Sequence, residues 1–191
     1  MSPRRLSGVL VLALVLVCLP ALAGAVPITY TTLFDGVDVT GVNTQPPLSQ
    51  DAPLGAVYYR FFATAGSAVE VIGDRLDGSF DMSFWLFAGL FVDTAAFGGS
   101  FDATDSAFSL FRDDQDLPNI PGPFGDPHAN FLAPTTGWYT VAVTNFASSG
   151  SPPYDFQLGA TGIEGVPEPA SLLLLGSGLG LLASARRRRR G

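Results

Sequence analysis

Carboxylates are the side chains in this sequence best supplied for chemistry. Asp113, Asp114 and Asp116 lie within four residues, Asp102 and Asp105 come shortly before them, and Asp126 follows ten residues after Asp116. Calcium takes about six to eight oxygen ligands, which carboxylates and loop carbonyls can supply. The spacing is not that of an EF-hand, which needs a glycine at the sixth loop position and a glutamate at the twelfth. The six aspartates are therefore candidate calcium ligands, and the plain alternative is a solvated acidic turn. Two such carboxylates could also form a glycosidase acid/base pair, if the fold sets them at the right separation.

Other catalytic chemistry is poorly supplied. His128 is the only histidine and sits in Gly125-Asp126-Pro127-His128, a loop-like setting. The chain has no lysine, and its one cysteine, Cys18, lies near the N-terminus. Amine and thiol nucleophiles are thus absent from the body of the chain. A Gly-x-Ser-x-Gly turn is missing there too; Ser177 lies between glycines, but inside an apolar run. No phosphate-cradling glycine loop and no His-Glu-x-x-His occurs. Trp85 and Trp138 fall on the strand faces opposite the expected core, so they are candidates for stacking on sugars. Trp85 has a second reading, as a residue that closes the other side of the sheet or lies beneath residues 88–107.

The elements that would hold these residues are strands. Val57, Tyr59, Phe61 and Ala63 share one face with Arg60 opposite, and Val69 and Val71 flank Glu70. Phe80, Met82, Phe84 and Leu86 alternate with Asp81, Ser83 and Trp85. Tyr139, Val141 and Val143 alternate with Thr140, Ala142 and Thr144, and Phe156 and Leu158 with Asp155 and Gln157. Alternation rich in aromatic and β-branched residues is the signature of half-buried strands. Turn formers separate the runs: Ala65-Gly66-Ser67, Asp77-Gly78, Gly98-Gly99, Pro121-Gly122-Pro123, Thr136-Gly137 and Ser149 to Pro153. No long stretch keeps a helical period. About eight short strands predict an all-β fold, a two-sheet antiparallel β-sandwich of jelly-roll type.

The two ends have a different character. Arg4-Arg5, an apolar run from Leu6 to about Leu19 and then Ala21-Leu22-Ala23 form a secretory signal peptide, residues 1–25, cleaved after Ala23 or Ala25. Cys18 leaves with it. The exported domain, residues 26–165, then holds sixteen carboxylates against Arg60, Arg75 and Arg112, a formal charge of −13 beside −7 for the whole chain. Such a surface repels phosphate, so nucleic acid is excluded as a partner. It suits divalent cations or solubility. About 140 residues are enough for one packed core without disulfides.

At the other end, residues 166–191, Pro167-Glu168-Pro169 can continue neither a helix nor a central strand, because each proline fixes φ and lacks an N–H. From Ala170 to Ala185 there is no charge, and seven of sixteen residues are leucine. As a helix that run is about 24 Å long, slightly short of a hydrocarbon core of about 30 Å. Arg186 to Arg190 would stay on the cytoplasmic side. The order Val-Pro-Glu-Pro, apolar span (170–185), arginine cluster (186–190) resembles the PEP-CTERM sorting signal of exported bacterial proteins. The resemblance implies a C-terminal transmembrane helix and processing at Pro167, Glu168 and Pro169 by an exosortase, in an envelope that also exports polysaccharide.

The exported domain loosely resembles the prepeptidase C-terminal (PPC) β-sandwiches. The resemblance rests on Tyr59 to Ser67, on Phe108-Ser109-Leu110-Phe111-Arg112-Asp113-Asp114, and on Phe131 to Val143 with its Gly137-Trp138-Tyr139 step. It implies a non-catalytic binding or spacing module, interrupted here by a long insertion between Phe87 and Phe108. The resulting expectation is an exported, non-enzymatic module of the cell envelope or extracellular matrix, held transiently at the membrane and associated with exopolysaccharide. The alternatives are a carbohydrate-binding module and a secreted hydrolase.

Overall fold

A computed structural model describes residues 25–47 and 49–165. The expected leader helix and membrane span lie outside the described residues, as do Pro167, Glu168 and Pro169. No helix among the described residues is long and apolar enough to cross a membrane.

Nine strands build two sheets: β1 (Thr31–Thr32), β2 (Val39–Asn43), β3 (Val57–Ala63), β4 (Ala68–Arg75), β5 (Met82–Ala88), β6 (Ser109–Arg112), β7 (His128–Leu132), β8 (Gly137–Asn145) and β9 (Tyr154–Thr161). One sheet has the order β1-β3-β8-β5-β6 and the other β2-β9-β4-β7. All pairings are antiparallel except the short β1 against β3.

The period-2 runs turn their apolar sides into the space between the sheets. Tyr59, Phe61, Phe84, Leu86, Tyr139, Val141 and Val143 meet Val69, Val71, Phe156 and Leu158 there, all buried. Val57 packs at the rim of this core and is half-buried. Phe61 lies directly across from Tyr139, and their rings stack at 5.3 Å. The Tyr139 hydroxyl donates to the carbonyl of Thr135 at 2.7 Å, so the turn into β8 is fastened to the core.

The insertion between β5 and β6 forms a partial third layer. Phe91, Phe97 and Phe101 fold back on the outer face of the five-stranded sheet, against Tyr58, Phe87, Trp85 and Ala142. Its single 3-10 turn, Thr94–Phe97, is capped by the Asp93 carboxylate, which accepts from the Ala95 amide at 3.0 Å. The cap satisfies an amide that the short turn cannot.

Candidate functional site

Antiparallel pairing puts the end of one strand beside the start of its neighbour. Phe84 of β5 pairs with Arg112 of β6, so Asp113 and Asp114 leave β6 where Asp81 leads into β5. Carboxylate oxygens of Asp81, Asp113 and Asp114 all lie within 4.8 Å of one another. Among the described residues this is the one group of three or more histidine, cysteine or acidic side chains that converges so closely.

The trio is poorly neutralised. Asp81 is only 2% exposed. Its Oδ1 is buried without a hydrogen-bond partner, and so is Oδ1 of Asp113. Asp114 is exposed and accepts from the Gly125 amide at 2.6 Å. Gly125 has to be a glycine for that approach, since a Cβ there would lie 2.8 Å from the Asp116 carbonyl and 2.9 Å from Asp114 Cα. Burial, and then the charge of Asp114, pushes the Asp81 carboxyl up to about 6; the Ala147 amide and Arg75 oppose this more weakly. Burial, followed by the charges of Asp81 and Asp114, pushes Asp113 up to about 7. Two buried carboxylates held in this way favour a proton or a cation between them.

Arg75 is the nearby positive charge, but it is directed elsewhere. It is fully buried, its Nε lies 3.7 Å from Asp126 Oδ1, and its Nη2 donates to the Ile120 carbonyl at 3.3 Å. Asp126 is itself buried. It accepts from the Arg75 amide at 3.2 Å and the Asn119 amide at 3.1 Å, and it serves as the anchor of the proline-rich loop. Asp116 and Asp126 exchange backbone hydrogen bonds of 2.9 and 3.0 Å that close the neck of this loop.

Of the six aspartates singled out in the sequence, the fold thus brings Asp113 and Asp114 together and adds Asp81, which sequence reasoning missed. Asp102 and Asp105 stay in a turn of the insertion. There Asp102 accepts from the Thr104 amide at 2.8 Å, and Asp105 accepts from the Asp102 amide at 2.6 Å. Asp116 contacts His128 Nδ1 instead. His128 itself is not a loop residue. It opens β7, because Pro127 ends the loop and the chain then pairs with β4, placing His128 opposite Ile72. Its Nε2 lies 2.9 Å from Glu70 Oε1, so carboxylates face both ring nitrogens.

The two tryptophans diverge. Both are on the outer face of the five-stranded sheet, but Trp85 lies under the insertion, beside Phe87, Phe101 and Phe111, and its Nε1 donates to the Gln50 carbonyl at 3.0 Å. Trp85 is half-buried there, as expected for a residue beneath the insertion. Trp138 is half-buried, with the Arg60 guanidinium 4.9 Å over its ring and Phe62 against its edge.

Comparison with known proteins gives a short match in sequence and a broader one in shape. Residues 165–190 match the family described as the PEP-CTERM protein-sorting motif. No curated protein matches the chain. Among solved structures, the sandwich is similar to CorA of Methylomicrobium album BG8, a surface-associated copper-binding protein (12% identity, 71% of this chain and 98% of that one, TM-score 0.50). It is also similar to the pre-peptidase C-terminal domain of a Bacillus anthracis collagenase (12% identity, 72% and 100%, TM-score 0.42). A third likeness is to the secreted MopE of Methylococcus capsulatus (11% identity, 75% and 90%, TM-score 0.46). At these identities the likeness concerns the fold alone. The chain therefore carries a PEP-CTERM protein-sorting motif, beginning at Gly165, behind an all-β sandwich whose last bridge, Phe62 to Glu164, closes one residue earlier.

Proposed function

We propose that this chain is an exported, non-enzymatic β-sandwich module, delivered by its leader and handed by its PEP-CTERM tail to an exosortase, which leaves it in the cell envelope or extracellular matrix. The observation that carries this reading is the sorting motif at residues 165–190. The junction supports it. The Ile163 amide donates to Asp35 Oδ1 at 3.1 Å, and the Glu164 amide donates to the Phe62 carbonyl at 2.8 Å. The sandwich is thus fastened at residues that precede Pro167 to Pro169.

The strand order supports a jelly roll. Without β1, the sheets read β3-β8-β5-β6 and β2-β9-β4-β7, and most successive strands cross from one sheet to the other. The non-enzymatic reading rests on composition and on His128, whose ring is flanked by Glu70 and Asp116 with no serine hydroxyl bonded to it among the described residues. A sugar-binding role would rest on Trp138, with Arg60 already over its ring, and on Trp85, whose ring lies against Phe87, Phe101 and Phe111. Intact-mass measurement of the protein released by its producing cells tests the proposal. The expected product ends near Pro167 to Pro169, and a Pro167→Ala, Pro169→Ala variant keeps its tail and stays with the membrane. A mature wild-type product that still carries Arg186 to Arg190 overturns the processing.

A further inference from the structure

We propose that Asp81, Asp113 and Asp114 form a divalent-cation site, of the all-oxygen type that suits calcium, which clamps the loop leaving β6 onto the entrance of β5. The geometry is the first argument. Three carboxylates from two strand ends converge within 4.8 Å, at a place where the antiparallel register sets those ends side by side. Asp81 cannot turn outward. Its own amide donates to Ser148 Oγ at 2.7 Å, and its carbonyl accepts from the Phe146 amide at 2.9 Å, so its backbone is fixed on both sides.

The orphaned oxygens are the second, independent argument. Oδ1 of Asp81 and Oδ1 of Asp113 are buried and accept no hydrogen bond. A buried polar atom without a partner is destabilising, the more so when charged, so such atoms in a folded protein call for a ligand. A water could serve one oxygen, but it would leave the repulsion among three acids unrelieved. A cation answers both demands.

The donor set selects the kind of cation. Of the histidine, cysteine and acidic side chains among the described residues, only carboxylates converge here; the histidine lies with Glu70 and Asp116, and the exported domain has no cysteine. Zinc and copper prefer nitrogen and sulfur donors, whereas hard oxygen sets suit calcium or magnesium. Magnesium asks for near-ideal octahedral geometry and keeps several waters. A site built from two strand ends and a loop, with Asp114 still exposed, fits the more tolerant calcium ion. Weak sites with dissociation constants of about 10⁻⁴–10⁻³ M are usual in extracellular modules. The clamp would thus engage after export and hold the segment from Asp113 to the Asp116–Asp126 neck against the sandwich.

The test uses the full chain purified in mild detergent, stripped with chelator and then titrated with calcium chloride against sodium chloride of equal ionic strength. One calcium per chain is expected by calorimetry, with a melting temperature about 5–10 °C higher at a hundredfold excess over the dissociation constant. Asp113→Asn and Asp114→Asn should each abolish most of the shift. Asp102→Asn, in the turn that does not join the trio, should keep it. Asp81→Asn is the most direct variant but sits in the core, so the two loop variants carry the test if it fails to fold. The proposal is overturned if wild-type protein binds no calcium at millimolar concentration, if sodium gives the same shift, or if Asp102→Asn loses the shift while Asp113→Asn retains it.

Discussion

Two polar clusters adjoin one another near the start of β5, one neutral and one acidic, and they are satisfied to different degrees. In the neutral one, Asn43 Nδ2 donates to the Val143 carbonyl at 3.1 Å and its Oδ1 accepts from the Gln45 amide at 2.7 Å. Asn145 Nδ2 donates to the Gln45 carbonyl at 2.9 Å, and its Oδ1 accepts from both the hydroxyl and the amide of Ser148. Ser148 also serves the Asp81 amide. The side-chain oxygens of Asn43 and Asn145 are thus used within the protein and tie β2 to β8, and Gln45 Oε1 is the one side-chain oxygen of these three residues left without a partner. The acidic cluster next to it leaves two buried carboxylate oxygens unpaired. The difference is one of charge: the neutral network leaves over a single amide oxygen, whereas the acidic one gathers unpaired carboxylate oxygens of one sign, and that points to something that binds.

The largest expected effect sets the scale for both clusters. Phe61→Ala removes the ring stacked on Tyr139 at the centre of the core and should destabilise by about 3–5 kcal/mol. Chemical denaturation should show it equally with calcium and with chelator. A loss that depended on calcium would mean that the core and the acidic end are one cooperative device, and the comparison would fail.

Asn145→Ala comes next. It strands the Gln45 carbonyl and frees Ser148, each buried, and should cost about 2–3 kcal/mol. That loss too should be indifferent to calcium. Because Ser148 holds the Asp81 backbone, a calcium affinity weakened tenfold or more in this variant would show that the scaffold also positions the ligand.

The core was legible in the sequence because a period of two survives without knowledge of the partner strands. Residues 57–63, 82–86, 139–143 and 156–158 needed nothing else to reveal their inner faces. β2 was not legible, for a physical reason. Of its inward positions Val39, Gly41 and Asn43 only the first is apolar, and at Gly41 a Cβ would sit 2.2 Å from the Tyr59 hydroxyl and 2.4 Å from the Phe156 ring. The core residues opposite fill the space that an apolar side chain would have marked. The insertion was hidden for another reason: Phe91, Phe97 and Phe101 cover the sheet from irregular backbone and keep no period. The acidic site was half legible. The cluster at Asp113 and Asp114 is local, but Asp81 joins it through strand register, and register is set by pairings that no local pattern prints. The cue that could have found it was a carboxylate at the head of the run from Phe80 to Leu86, where a half-buried strand has little use for a charge.

The smallest expected effect is the most telling, because it reads the acidic cluster directly. With chelator present, Asp81 and Asp113 are held up to about 6 and about 7, above the ordinary carboxylate range near 4. A group whose pKa is higher in the folded form binds its proton more tightly there, so its contribution to stability is complete below about pH 4 and is lost as pH rises through the folded values. Asp126 and Asp74, raised chiefly by burial, act in the same direction. Asp102, lowered by hydrogen bonds from Thr104, opposes them from an exposed turn. The melting temperature in chelator should therefore fall between about pH 4.5 and 7.5. Calcium needs the deprotonated carboxylates, so the gap between calcium and chelator melts should be nearly closed at the acid end and widen through the same interval. Asp113→Asn should flatten the chelator curve and remove the gap together. A flat chelator profile in the wild type would mean that the acids of the trio are as well solvated as Asp102, and the contrast between the neutral and the acidic cluster would disappear.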